Sequence, residues 1–163
     1  MSRHVNKIRI VCLTLFFVFA LVWFAFSSLT APVADEELLT PFENTSVKPV
    51  IGYKTYRGYT YRTLTLQHKD SLPTLVFVHG TVGSCVDFEK YMMDEGLLEK
   101  FNMLAYDRVG YNYKDKNHVK ESIAFERDLL DDLTKEIPND NIVYVGYSYG
   151  GPIALATKKK LKK

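Results

Sequence analysis

One hexapeptide constrains this chain more than any other feature: Gly146-Tyr147-Ser148-Tyr149-Gly150-Gly151, placed directly after the apolar run Ile142-Val143-Tyr144-Val145. Gly-x-Ser-x-Gly after a strand presents a serine on a sharp strand-to-helix turn. Such a turn strains the serine backbone, and side chains on its flanks would collide across it. Gly146 and Gly150 fill those flanking positions. Pro152 fits the first turn of a following helix, which Ile153, Ala154, Leu155 and Ala156 would continue. A serine presented in this way works with an acid and a histidine that come later in the chain. Residues 150–163 hold no Asp, Glu or His, so the sequence names a chemistry and lacks part of its equipment.

The 163 residues suit about one domain, and 47% hydrophobic content is ordinary, but the average hides a split. Residues 8–29 are almost wholly apolar, with no charge between Arg9 and Asp35. That is close to the ~20 residues that cross a bilayer core as a helix. Arg3, Lys7 and Arg9 precede the run, whereas Asp35, Glu36 and Glu37 follow it. Positive charge stays on the cytoplasmic side, so residues 1–7 are read as inside and the rest as outside. An uncleaved anchor is favoured over a signal peptide, whose apolar core is shorter and whose cleavage site needs small residues. A buried core helix is the third alternative.

The net charge of +2 carries little, since the lysine-rich end and the amino terminus supply much of the basic excess. No basic stripe interleaved with aromatics argues for nucleic acid as a partner. Cys12 lies in the apolar run and Cys85 far beyond it, so a disulfide between them is not expected. Cys85 reads as a structural thiol rather than a nucleophile.

Residues 30–49 carry three prolines and an acidic cluster, the composition of an extended tether, with a formal glycosylation sequon at Asn44-Thr45-Ser46. Residues 50–163 are assigned to the catalytic-type domain. Two Tyr/Thr-rich runs flank Arg57-Gly58, the pattern of a hairpin. Residues 74–78 and 102–106 are apolar runs of strands buried on both faces. The spacing predicts a helix over 86–100, interrupted near Gly96, and a second from about 120 to 137, ended by Pro138. Strands alternating with helices imply an α/β fold with a mostly parallel sheet of about five strands and flanking helices. The closing run of lysines ends the helical stripe abruptly. The favoured reading is a truncation or a departure from frame in an adenine-rich tract, and reading the gene onward would test it.

Three motifs follow three of the strands: His79-Gly80-Thr81-Val82-Gly83-Ser84, then Asp107-Arg108-Val109-Gly110-Tyr111, then the serine hexapeptide. In order and spacing they resemble the amino-terminal part of an α/β-hydrolase, with the resemblance running from about Gly52 to Ala156. The resemblance implies Ser148 as nucleophile and no metal or organic cofactor. It places the oxyanion donors at the backbone N–H groups of Tyr149 and Thr81. It gives His79, Gly80, Gly83, Asp107, Arg108, Gly110, Gly146, Gly150 and Gly151 structural roles, with His79 organising the oxyanion loop rather than acting as base. Asn112 stands where relatives often carry glycine, and asparagine tolerates left-handed geometry. A serine instead of an aspartate at position 148 argues for acyl chemistry on a small ester, thioester or amide.

The expectation is a membrane-anchored serine hydrolase, truncated and inactive as given, with the cap segment, triad acid and triad histidine missing. The alternative is a non-catalytic, membrane-tethered fragment or binding module on the same scaffold. Complementation by a second chain is the remaining possibility. Ending after the serine strand would leave an apolar sheet edge open to pairing.

Overall fold

Arg57 and Gly58 both adopt positive φ, 49° and 84°, which is the backbone that a two-residue hairpin turn requires. They join β1 (Val50–Tyr56) to β2 (Tyr59–Leu66), paired antiparallel from Tyr56 opposite Tyr59 to Val50 opposite Thr65. These features come from a computed structural model that describes residues 2–67, 69–115, 119–120, 122–138 and 141–158.

Three further strands, β3 (Thr74–Val78), β4 (Asn102–Tyr106) and β5 (Ile142–Gly146), complete a five-stranded sheet in the order β1-β2-β4-β3-β5. β4, β3 and β5 run parallel, whereas β2 meets both β1 and β4 antiparallel. The sheet is therefore mixed: β1, β4, β3 and β5 point one way and β2 alone is reversed, so the expected five-stranded, mostly parallel sheet carries one antiparallel member. The cause is local: a tight turn can only join antiparallel neighbours, and the reversed strand then docks beside β4 rather than β3. β5 pairs with β3 alone among the described residues, and Val143 on it is 44% exposed.

Alternate residues of the buried strands feed two cores. Leu75 and Phe77 of β3 face one side with Leu64, Leu66, Met103 and Ala105. Val76 and Val78 face the other with Tyr61, Leu104 and Tyr106. The first core is closed by a 3-10 turn (Cys85–Phe88), α3 (Glu89–Met92) and α4 (Glu95–Leu98). The spacing predicts one helix there, interrupted near Gly96. The chain instead breaks at Asp94, whose carboxylate caps α4 by accepting the Leu97 N–H at 2.9 Å. The second core is closed by α5 (Ile123–Leu133) and α6 (Gly150–Leu155) through Leu129, Leu130, Leu133 and Ile153. α5 is shorter than its spacing suggests because Ser122 caps it at one end. At the other, Thr134 turns its hydroxyl back onto the Leu130 carbonyl at 2.8 Å.

Residues 30–49, which read as an extended tether, contain α2 (Asp35–Leu39) and a 3-10 turn (Thr40–Phe42). Leu38 and Phe42 are 2% and 1% exposed and belong to the first core. Each such side chain is worth about 1.5–3 kcal/mol when buried. The composition is that of a tether, yet these two residues commit the stretch to the sheet.

The chain forms two compact units, Met1–Ala31 and Pro32–Lys163. The first is essentially α1 (Ser2–Leu29). Its Asn6–Leu29 segment reaches a mean hydropathy of 2.6 over 18 residues and is long and apolar enough to cross a membrane.

Candidate active site

Ser148 sits at φ +50°, a left-handed backbone that costs a non-glycine residue energy. The surroundings hold it there. The Tyr147 N–H donates to the Val78 carbonyl at 3.0 Å, extending the β5–β3 pairing to the edge of the turn. The Gly150 N–H then donates to Tyr147 O at 2.8 Å and the Gly151 N–H to Ser148 O at 3.0 Å, which starts α6. A Cβ at Gly146 would stand 2.6 Å from the Gly150 carbonyl oxygen, and one at Gly150 would overlap the Val78 carbonyl. Only glycine fits at either place. Ser148 itself is exposed.

The loop after β3 presses against this turn. A Cβ at Gly80 would lie 2.8 Å from Ser148 Cβ and 3.4 Å from its Oγ, so the loop backbone touches the serine directly. Thr81 and Val82 follow, both exposed, and Val82 is held at φ +60° although it is β-branched. That is a second strained residue beside the first. Ser84 ends the loop, its hydroxyl accepting the Val86 N–H at 3.2 Å. Gly83 packs where a Cβ would crowd His79 Nδ1 at 3.2 Å.

His79 is wholly buried, and both its ring nitrogens are engaged. Nε2 accepts the Arg108 N–H at 2.8 Å, so the ring proton is on Nδ1, which donates to Gly80 O at 2.7 Å. The imidazole is a brace between the two motif loops. Its edge meets the Tyr111 ring at 5.2 Å.

Asp107 and Arg108 are fully buried as well. Asp107 Oδ1 accepts the Cys85 N–H and Oδ2 accepts Arg62 Nε, both at 2.7 Å. Arg108 pairs with Glu126 of α5 at 3.2 Å, and its Nη1 donates to Gly80 O at 3.4 Å. Its guanidinium stacks between two rings, 5.0 Å from Tyr111 and 4.7 Å from Tyr149. One cation thus touches both the loop before the serine and the residue after it. Gly110, at φ +85°, turns the chain so that the Tyr111 N–H reaches Arg108 O at 3.0 Å.

Asn112 does not use left-handed geometry. Its buried side chain holds the loop instead, donating to Thr60 O at 3.0 Å and accepting the Lys114 and Asp115 N–H groups at 2.9 and 2.8 Å. Burial, first, and the neighbouring Asp107 push the Cys85 thiol up, which keeps it protonated and unreactive.

The structure brings together Ser148, Gly80, His79, Arg108 and Tyr149, drawn from three separate motifs. Two members of the same frame were missed in the sequence: Arg62 and Glu126, both fully buried. Arg62 interrupts a Tyr/Thr strand and Glu126 falls on the apolar face of α5, each a charge where the pattern asks for none. Among the described residues no three His, Cys, Asp or Glu side chains converge as a metal site.

Residues 73–157, more than half of the chain, match the family model described as alpha/beta hydrolase fold. The chain belongs to this family.

Among relatives, a proline iminopeptidase of Saccharolobus solfataricus is 31% identical over 117 residues, covering 69% of this chain and 37% of that protein. An uncharacterized protein of Mycobacterium bovis is 23% identical over 107 residues, 66% of this chain and 30% of its own. The alpha/beta hydrolase chain thus spans about a third of the curated relatives it matches. Among solved structures, a putative hydrolase of Bacillus subtilis superposes with a TM-score of 0.57 at 20% identity, over 76% of this chain and 44% of its own. A haloalkane dehalogenase of Bradyrhizobium elkani gives 0.55 at 20% identity, over 66% and 36%. These two likenesses speak for the fold alone.

Proposed function

We propose that this alpha/beta hydrolase is a membrane-anchored serine hydrolase that cleaves a small ester, thioester or amide through an acyl-Ser148 intermediate. One observation carries the reading: an exposed serine forced to φ +50° and held against the backbone of Gly80. Strain of this kind persists only where the surroundings over-determine it.

In the proposed reaction Ser148 Oγ forms a bond to the substrate carbonyl carbon and gives up its proton. The carbonyl oxygen takes the electron pair and is met by the N–H groups of Thr81 and Tyr149. A donor of this type is worth about 2.7–4 kcal/mol. Collapse expels the alcohol, thiol or amine, which takes up a proton, and water then cleaves the acyl-serine. Being backbone groups, the donors leave their side chains open to variation.

The serine proton needs an acceptor. His79 cannot serve while its nitrogens brace Arg108 and Gly80. In a serine triad the base is worth about 10⁶ in turnover, while oxyanion hole and binding alone retain about 10³–10⁴ over water. The anchor assignment is supported by the length and apolarity of α1, and the charges around it favour an amino terminus inside. Resistance of the full chain to alkaline extraction from membranes would support that part, and release would refute it.

The catalytic part is tested with an activated p-nitrophenyl ester. A burst approaching about one equivalent of nitrophenol per folded chain, absent in Ser148→Ala, is the expected result. Release at the same rate from both proteins would overturn it.

A further inference from the structure

Arg62 is the largest side chain that the sheet buries completely. It stands on β2 where the antiparallel ladder brings it level with Asp107, whose N–H donates to Arg62 O at 2.9 Å. Its guanidinium faces two ways. Inward, Nε donates to Asp107 Oδ2 at 2.7 Å. Outward, Nη1 donates to Val33 O at 2.7 Å and to Asp35 Oδ1 at 3.0 Å. The Asp35 carboxylate is in turn held by the Tyr53 hydroxyl at 2.7 Å and by Lys114 at 3.6 Å. The Lys114 ammonium also rests over the Tyr53 ring, 3.8 Å from its centre.

The inner end of this chain of contacts reaches the loop beside Ser148 at both of its margins. Asp107 Oδ1 takes the N–H of Cys85, the residue immediately after the loop. The next residue, Arg108, gives its N–H to His79, the residue that opens it. Asp107 and Arg108 therefore span the loop like a bracket, with Gly80, Thr81 and strained Val82 between the fixed points. Arg62 sets the carboxylate of that bracket, because a buried aspartate with one oxygen on an amide needs a cation on the other.

We propose that Arg62 is a positioning residue for the oxyanion loop and that Val33–Asp35 is the outer anchor of the same device. The segment before β1 is then a working strap of the hydrolase unit rather than a leash, and the unit begins at about Pro32, where the compact unit also begins. The inference rests on the reading of the loop as an oxyanion hole. Its geometric part, the coupling of Asp35 to the loop, stands independently of that reading.

The test uses the full chain and three variants: Arg62→Lys, which keeps the charge and loses the fork, Asp35→Asn and Tyr53→Phe. Amide hydrogen exchange is followed at residues 80–85 and, as reference, at Val76–Val78, alongside the rate of Ser148 modification by a fluorophosphonate. Exchange at 80–85 should rise about tenfold in Arg62→Lys and Asp35→Asn, with the β3 amides unchanged within about twofold. Ser148 modification should slow by about tenfold in the same two variants. Tyr53→Phe should shift both readouts in the same direction and by less. Loop exchange equal to wild type, or rising only in step with β3 as general destabilisation would make it, overturns the proposal. Should Arg62→Lys fail to fold, the two peripheral variants decide. If wild type is not modified at Ser148 at all, the hydrolase reading fails, while the exchange comparison still decides the coupling.

Discussion

The Arg108 backbone N–H donates to Nε2 of His79 at 2.8 Å, and this bond ties the histidine ring to the second motif loop. With Nε2 accepting and Nδ1 donating to Gly80 O, the ring carries one proton and has no nitrogen to offer Ser148. His79→Ala would strand the buried Arg108 amide, and a lost partner of this type costs about 1–3 kcal/mol. We expect a drop of that size in chemical denaturation. His79→Gln, whose amide can still accept near the Nε2 position, should recover part of it.

Glu126 is the buried counter-charge of Arg108 at 3.2 Å. Removing one partner of a buried pair leaves an uncompensated charge, at about 3–5 kcal/mol. Glu126→Leu should therefore destabilise the protein by several kcal/mol in a urea titration. Arg108 would also lose its hold between Tyr111 and Tyr149, so Ser148 reactivity should fall with it.

The backbone at Ser148 predicts an unusual order of stabilities. Alanine inherits the left-handed strain, whereas glycine is free of it. Ser148→Gly should be more stable than Ser148→Ala by about 1 kcal/mol, although glycine normally loses such comparisons. Paired thermal melts of the two variants would show it. A more stable alanine variant would mean that the turn is unstrained.

Asp35 gives a pH dependence with a definite sign. Burial works against its charge, but hydrogen bonds from Tyr53 and Arg62 outweigh burial and hold its carboxyl below the ordinary value of 3.8. A lowered folded-state pKa means stability that is present above the unfolded value and lost as pH falls through the folded one. The stability gap between wild type and Asp35→Asn should thus be constant from neutral pH to about 5 and close below about 4. Denaturation curves across that range test it.

Much of this architecture is legible in the residues because local chemistry and tertiary need agree. β3 and β4 are runs of apolar residues that both cores demand, and Arg57-Gly58 suits the one turn that joins β1 to β2. Gly146 and Gly150 mark the serine turn since any Cβ there meets backbone. Three things were not legible. The strand order depends on where a hairpin docks, which is a choice between neighbours and leaves no periodic trace. The helical turn around Leu38 and Phe42 is a tether by composition and a core element by two side chains. Arg62 and Glu126 stand out of pattern in the sequence, but their use shows only when their partners, 45 residues away in the case of Asp107 and on another segment for Arg108, close around them.

The most direct test of the account is the site at which a fluorophosphonate adds to the full chain, read by peptide mass mapping with and without added imidazole. Ser148 is expected to carry the adduct, faster when imidazole supplies a base, and Ser148→Ala should carry none. Adducts scattered over other hydroxyls, or equal labelling of Ser148→Ala, would contradict the claim that this turn presents a nucleophile.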